Sequence, residues 1–231
     1  MQLSQSSAEA AVLEIYSRLL SAFGSRKWWP SDTREETIIG AVLAQNVSWR
    51  NVEKAIANLK HAGMLSLQAV HTAESSLLAE LIKPTRFYNQ KAEKLKNFTQ
   101  WLYEDYKGSL DSAFSQDLED VRREMLTING LGQETVDSIL LYAGGKSIFV
   151  VDAYTKRIFY RLGLTDIDWS YSKLQTYFMQ NIKADVQLYN DYHAQIVRLG
   201  NAFCRKSNPN CGECPLRSIC DYTGEAGPSK S

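Results

Sequence analysis

Apolar residues recur with a helical period over most of the chain. Val12, Ile15, Leu19 and Phe23 fall at i, i+3, i+7 and i+11, one stripe of a helix beginning near Ser7. Asp32-Thr33-Arg34-Glu35 reads as a capping-box start for a helix through Ile38, Ile39, Val42 and Leu43. Ser48 can cap the next helix, with Val52, Ile56 and Leu59 on its apolar face. Further helices are predicted from Gln90 to Tyr106, Thr135 to Ala143, Ala153 to Leu162, Ser170 to Asn181 and Val186 to Phe203. Only Ser147 to Val151 reads as extended, and five residues cannot make a sheet. Pro30, Pro84, Pro209 and Pro215 fall between these helices, no internal repeat is visible, and the polar tail after Tyr222 predicts disorder. The pattern predicts an all-α fold.

Composition narrows the picture further. With 231 residues, 44% hydrophobic and 23% charged, the chain can bury a sizeable core as one large domain or two small ones. Extended disorder, collagen-like repeats and coiled coil are excluded. No apolar run approaches the roughly 18 residues that span a bilayer. Met1-Gln2-Leu3-Ser4 lacks the basic start of a secretory signal, so a cytosolic chain is expected, with no membrane partner. Twenty-six basic against 26 acidic residues give zero net charge, which by itself weighs against a nucleic-acid partner.

The distribution of charge changes that reading. Lys83, Arg86, Lys91, Lys94 and Lys96 stand against Glu93 alone, a local +4. Lys146, Lys156, Arg157 and Arg161 stand against Asp152, a local +3, whereas residues 104–124 carry a local −4. Neutrality is a cancellation between patches, which permits one positive face.

All four cysteines lie within seventeen residues, as Cys204-x6-Cys211-x2-Cys214-x5-Cys220. In a cytosolic chain such clustering favours metal ligation over disulfides. Four thiolates suit tetrahedral zinc or an iron–sulfur cluster. Only Cys211 and Cys214 have the short spacing usual for zinc knuckles, and the wider outer pair suits the larger span of a [4Fe–4S] cluster, with zinc as the alternative.

Leu126 to Thr135 places Gly130 and Gly132 one residue apart between two apolar helices. Such a turn lets backbone approach another molecule, and the helix starting beyond Gly132 can offer its N–H groups to an anion. An ordinary interhelical turn is the alternative. Eighteen residues after Glu134 stands Asp152, in Val151-Asp152-Ala153-Tyr154-Thr155-Lys156-Arg157 at the start of a helix, where it can serve simply as an N-cap.

The hairpin, the Asp152 run and the cysteine spacing together resemble the helix-hairpin-helix DNA glycosylases of the endonuclease III superfamily, over nearly the whole chain from Ser7 to Tyr222. The resemblance implies a two-lobed all-α fold. Residues 26–135 would form a lobe of about six helices ending in the hairpin. Residues 1–25 would join residues 136–222, which hold the catalytic Asp and the cluster, with 223–231 as a disordered tail. It also implies a hairpin that grips the DNA backbone, Asp152 as the catalytic residue, and a structural cluster on Cys204, Cys211, Cys214 and Cys220 supporting a basic loop near Arg205 and Lys206. The partner would be duplex DNA with a damaged base, and a monomer is expected.

Bifunctional members carry a lysine two residues after the second glycine, whose amine forms a Schiff base with the sugar. This chain has Glu134 there, which implies monofunctional cleavage unless Lys156 or Lys146 substitutes. Asp152 would then stabilise an oxocarbenium-like sugar and help orient water. Trp28-Trp29-Pro30, with Trp49 following Trp28 by 21 residues, resembles the 3-methyladenine DNA glycosylase III branch. Trp28 and Trp49 would sandwich a flipped base beside Trp29 and Pro30, and an electron-rich slot suits a cationic alkylated purine. That branch can lack the cluster, whereas all four cysteines are present here, so an oxidised pyrimidine or mismatched base is the alternative substrate. The resemblance assigns Gln45 to the hole left by the flipped nucleotide and Phe87 to a wedge between bases, beside Arg86. Asn129, Gly130, Leu131, Gly132, Thr135 and Lys156 are the further expected DNA contacts. His193 has no task in this scheme and reads as structural. A non-catalytic damage-binding protein of the same fold is the rival from another class.

Overall fold

A computed structural model describes residues 5–25 and 31–222. Among the described residues the regular structure is entirely helical: twelve α-helices and two short 3-10 turns, with no strand. No helix among them is long and apolar enough to cross a membrane. The chain divides into two compact units, one joining the N-terminal residues up to 28 to those from Ser147 onward, the other spanning 29 to Lys146.

In the first unit, α1 (Gln5–Phe23) packs on α11 (Tyr171–Asn181) and α12 (Val186–Ala202), and α10 (Ala153–Arg161) packs on α12. The stripe read from the sequence is what α1 buries: Val12, Ile15 and Leu19 are withdrawn from water. They meet an aromatic core in which Phe149 stacks on Phe178 at 4.1 Å, and Phe159 and Tyr192 approach Phe178 edge-on. Each fully buried ring contributes about 2–3 kcal/mol of burial. The Tyr192 hydroxyl, deep in this core, donates to the Val12 carbonyl at 2.7 Å, so its polar atom is satisfied. Residues 148–151 are buried but form no strand; Gln175 instead donates to the Phe149 carbonyl at 2.7 Å.

The second unit contains α2 (Arg34–Leu43), α3 (Trp49–His61), α4 (Leu67–Thr72), α5 (Ser75–Leu81), α6 (Tyr88–Tyr106), α7 (Leu110–Ser115), α8 (Leu118–Met125) and α9 (Gln133–Tyr142). The long α6 is its spine, with α2, α4, α5 and α7 packed on it. Helix α9 packs on α2 and α8, burying Val136, Ile139 and Leu140. The break between units follows α9, at Lys146. Arg122 of α8 makes a two-point ion pair with buried Asp137 of α9, Nε to Oδ1 at 2.6 Å and Nη2 to Oδ2 at 3.0 Å. This pair ties together the two helices that flank the glycine turn, and removing one partner would leave a buried charge uncompensated.

Two local expectations shift by a residue or lose a contact. The cap of α2 is Thr33, not Asp32: the Thr33 hydroxyl accepts from the Glu36 N–H at 3.1 Å, and the Glu36 carboxylate accepts from the Asp32 N–H at 3.1 Å. Glu35 is drawn away to accept from the Leu67 N–H at the start of α4. Ser48 occupies the cap position of α3 but makes no side-chain cap bond.

Candidate functional site

Asp152 is the N-cap of α10 and closes a reciprocal capping box with Thr155. Its Oδ1 accepts from the Thr155 N–H at 2.7 Å and from the Thr155 hydroxyl at 2.8 Å. Oδ2 lies 3.6 Å from Nε2 of His193, a buried residue of α12. Burial is the largest influence on the Asp152 carboxyl and pushes its pKa up. The facing His193 and the two Thr155 bonds outweigh it and hold the group below the ordinary carboxylate range. The cap and the candidate catalytic group are thus one residue, because each role uses a different oxygen. Lys156 lies half-buried on the same helix.

The four cysteines meet in the same unit. Cys204, Cys211, Cys214 and Cys220 line one cavity of about 30 Å³ with Arg161, Phe203, Arg217 and Tyr222. Arg161 of α10 reaches across 43 residues to donate to the Cys204 sulfur at 3.3 Å and to the Arg205 carbonyl at 2.8 Å, and its guanidinium lies 4.3 Å from the Tyr222 ring centre. Arg157, one turn earlier, donates to the Cys204 carbonyl at 2.8 Å. Burial pushes the Cys214 and Cys220 thiols up and the neighbouring cysteines add to this, while the N–H groups of Leu216 and Tyr222 donate toward the sulfurs and pull down. No three of these side chains gather closely enough to hold a single ion. Four thiols around a shared void, with N–H and guanidinium donors at the sulfurs, form a donor set whose chemistry suits a thiolate-held metal group.

The glycine turn lies in the second unit. Gly130 is exposed with φ +91°, and a Cβ there would run into the side chain of Lys94, so the position suits glycine. Gly132 caps α9 with φ −92° and no capping side chain. Leu131 between them is buried, as is Thr135 in the first turn, whereas Asn129 is exposed and its carbonyl accepts from Asn97 at 3.1 Å. Gln45 joins this assembly: its Nε2 donates to the Thr135 hydroxyl at 2.8 Å, and its Oε1 accepts from Lys94 at 2.5 Å. Gln45, Gly130 and Thr135 are therefore brought together, with Lys94 as the member the sequence did not single out. Glu134 is exposed in the first turn of α9.

Arg86 and Phe87 form an exposed tip before α6. Both have positive φ, +55° and +44°, an uncommon state for non-glycine residues that signals stored strain. Phe87 is 64% exposed, unusual for a large apolar residue. Beneath the tip, fully buried Lys91 donates to the Thr85 carbonyl at 2.7 Å and the Leu43 carbonyl at 2.8 Å; burial lowers its pKa to about 8. Trp49 is half-buried at the first position of α3. Trp28, Trp29 and Pro30, and the tail after Tyr222, lie outside the described residues.

Residues 39–184 match the family model of the HhH-GPD superfamily base excision DNA repair proteins. The chain belongs to that superfamily. The match takes in Gln45, the glycine turn and Asp152 but ends before His193 and the cysteines. Among HhH-GPD relatives, a Methanocaldococcus jannaschii protein named DNA repair glycosylase MJ1434 is 44% identical over 90% of this chain and 95% of its own length. An H. pylori 3-methyladenine DNA glycosylase, solved bound to 1,N6-ethenoadenine, superposes with a TM-score of 0.71 at 29% identity, over 85% of this chain and 97% of that one. An endonuclease III trapped as a covalent intermediate with DNA superposes at 0.78, over 92% and 95% of the two chains; at 20% identity this likeness shows the fold alone.

The basic clusters are put to a different use from the one their sequence suggested. Lys91 is buried, Lys94 is bonded to Gln45, and Lys96 donates to the carbonyls of Val70, His71 and Ala73 at the end of α4. Lys146, Arg157 and Arg161 likewise donate to carbonyls within their own units. Most of the local positive charge satisfies backbone oxygens at helix ends and loops. His193, read from the sequence as structural, stands against Asp152. No local sequence signal marks it, since the two are 41 residues apart.

Proposed function

We propose that this HhH-GPD protein is a monofunctional DNA glycosylase that flips damaged bases, most of all alkylated purines such as 3-methyladenine, from duplex DNA and hydrolyses the glycosidic bond. Two separate observations carry the reading: Glu134 is an acid where a lyase needs an amine, and Asp152 is a nearly buried carboxyl held below the ordinary carboxylate range. A carboxylate cannot form an imine, but it stabilises the positive charge that develops on the sugar as the base departs and helps orient the attacking water. An alkylated purine already carries positive charge, which weakens its glycosidic bond and removes the need for a strong general acid. The tryptophans Trp28, Trp29 and Trp49, with Pro30 lining the pocket, suit such a base by stacking and cation–π attraction. Likeness to the H. pylori 3-methyladenine enzyme supports the substrate class.

In this reading DNA phosphates meet the N-terminal N–H groups of α9 across Asn129, Gly130, Leu131 and Gly132, while Thr135 holds Gln45. Gln45 and the strained, exposed Phe87 enter the duplex, with Arg86 and Lys156 as backbone contacts. The four cysteines hold a [4Fe–4S] cluster, which supplies folding energy to the C-terminal loop when bound. Arg161 and the N–H groups of Leu216 and Tyr222 stabilise the thiolates by donating to their sulfurs.

The test is base release from methylated DNA with the products identified, beside borohydride trapping on thymine-glycol duplex. Release of 3-methyladenine with no covalent adduct is expected. An adduct on thymine glycol that disappears in Lys156→Ala would replace this reading with an oxidised-pyrimidine glycosylase with lyase activity. Absence of release from both substrates, with retained lesion binding, would point to a damage-binding protein.

A further inference from the structure

The two oxygens of Asp152 have separate surroundings. Oδ1 is committed to the helix cap, accepting both the N–H and the hydroxyl of Thr155. Oδ2 takes no part in that box and faces the Nε2 of His193 across 3.6 Å. The gap is too long for a hydrogen bond but short for a charge interaction. The side chains are only 7% and 10% exposed, so solvent screens the pair little. His193 is fixed from its own side, because α12 packs along α10 and carries it in its buried face.

We propose that His193 is a positioning residue for base excision, acting through Asp152 by keeping Oδ2 ionised and in place while Oδ1 caps α10. The proposal rests on the reading of Asp152 as the catalytic carboxylate. Burial alone would drive this carboxyl toward its neutral form, which can neither stabilise a cationic sugar nor orient water as an acceptor. An imidazole N–H or imidazolium facing Oδ2 offsets that cost. Thr155 cannot substitute for it, since both of its bonds go to Oδ1.

Other titratable and charged groups surround the pair. Helix α10 supplies Lys156, Arg157 and Tyr154; the guanidinium of Arg157 is engaged with the Cys204 carbonyl, and the Tyr154 phenol is raised by burial and then by the charge of Asp152. Helix α11 supplies Tyr171, whose hydroxyl accepts from the Val151 N–H at 3.4 Å. Asp191 lies two residues before His193 on α12 and accepts from Tyr16 of α1 at 2.9 Å.

The experiment is titration of the Asp152 carboxyl carbon by NMR in the full chain, its signal assigned by its loss in Asp152→Asn. Wild type, His193→Ala and His193→Gln are compared, with single-turnover base release from methylated duplex followed over the same pH range. In wild type the carboxyl titrates below the usual range. In His193→Ala it moves up by about one unit, a tenfold change in its ionisation equilibrium. The acid limb of base release moves the same way, with the dissociation constant for lesion duplex held within about twofold. His193→Gln, which keeps an N–H able to face Oδ2, recovers part of the shift. An Asp152 titration unmoved in folded His193→Ala overturns the proposal; if that variant fails to fold, an unmoved titration in His193→Leu, which fills the site but has no N–H, does the same. Wild-type base release by Asp152→Asn overturns instead the catalytic reading on which the role depends, and the titration distinguishes the two failures because it needs no turnover.

Discussion

Helices α9 and α10 begin in opposite ways. The first opens on Gly132, exposed and without a capping side chain, with no atom within 4 Å of where a Cβ would stand. The second opens on Asp152, whose carboxylate closes a full capping box from a nearly buried position. Both termini present the positive end of a helix dipole. At α9 the cap residue leaves that end available to an anion from outside the protein; at α10 the end holds the protein's own carboxylate. A single residue type at the cap position decides whether a helix start is left open or is filled by the protein's own carboxylate.

Four changes test this contrast. Asp152→Asn breaks it most sharply: asparagine is as good a cap as aspartate but carries no charge, so base release should fall about a thousandfold while the melting temperature at neutral pH falls only slightly. Single-turnover kinetics and thermal melts read both quantities. Gly132→Asp makes α9 begin like α10. Its backbone is ordinary extended structure, so the fold should gain a few tenths of a kcal/mol. Duplex affinity should fall about tenfold as the new carboxylate takes the place of phosphate, as seen by anisotropy titration at fixed salt.

Thr155→Val removes the hydroxyl bond to Oδ1 and leaves the N–H bond. A stability loss of about 1 kcal/mol and a few-fold slower release are expected, measured by urea denaturation and the same kinetics. The smallest effect lies in pH dependence. The folded pKa of Asp152 is depressed, so its ionised form stabilises the protein above the unfolded value near 4. That contribution is lost as pH falls through the lower folded value. The wild-type and Asp152→Asn stability curves should therefore converge on the acid side, and melts from about pH 2.5 to 7 would show it.

Long elements were legible because many residues repeat the same period. The stripe Val12, Ile15, Leu19 and the span of α12 could be read directly. Helices α4, α5 and α7, of six or seven residues, escaped because two turns hold too few apolar positions to reveal a period. The box at α2 was read one residue early, since Asp32 and Thr33 both suit a cap and only the backbone shows which carries the bond. Charge was the least legible feature. A count along residues 83–96 gives +4, yet buried Lys91 and carbonyl-bound Lys96 offer none of it to a phosphate. Composition does not say whether an ammonium group ends in water or on a carbonyl.

The sequence by itself determined the all-helical class, the glycine turn, the aspartate at a helix start and the grouping of four cysteines, because each is a local matter of period, cap chemistry or spacing. Only the tertiary structure decided that His193 faces Oδ2 of Asp152, that Arg161 meets the Cys204 sulfur, and that Lys94 holds Gln45 while lying over Gly130. These partners are separated by dozens of residues, and their meeting depends on which helices pack together, a choice made by the buried apolar faces rather than by the polar groups brought into contact.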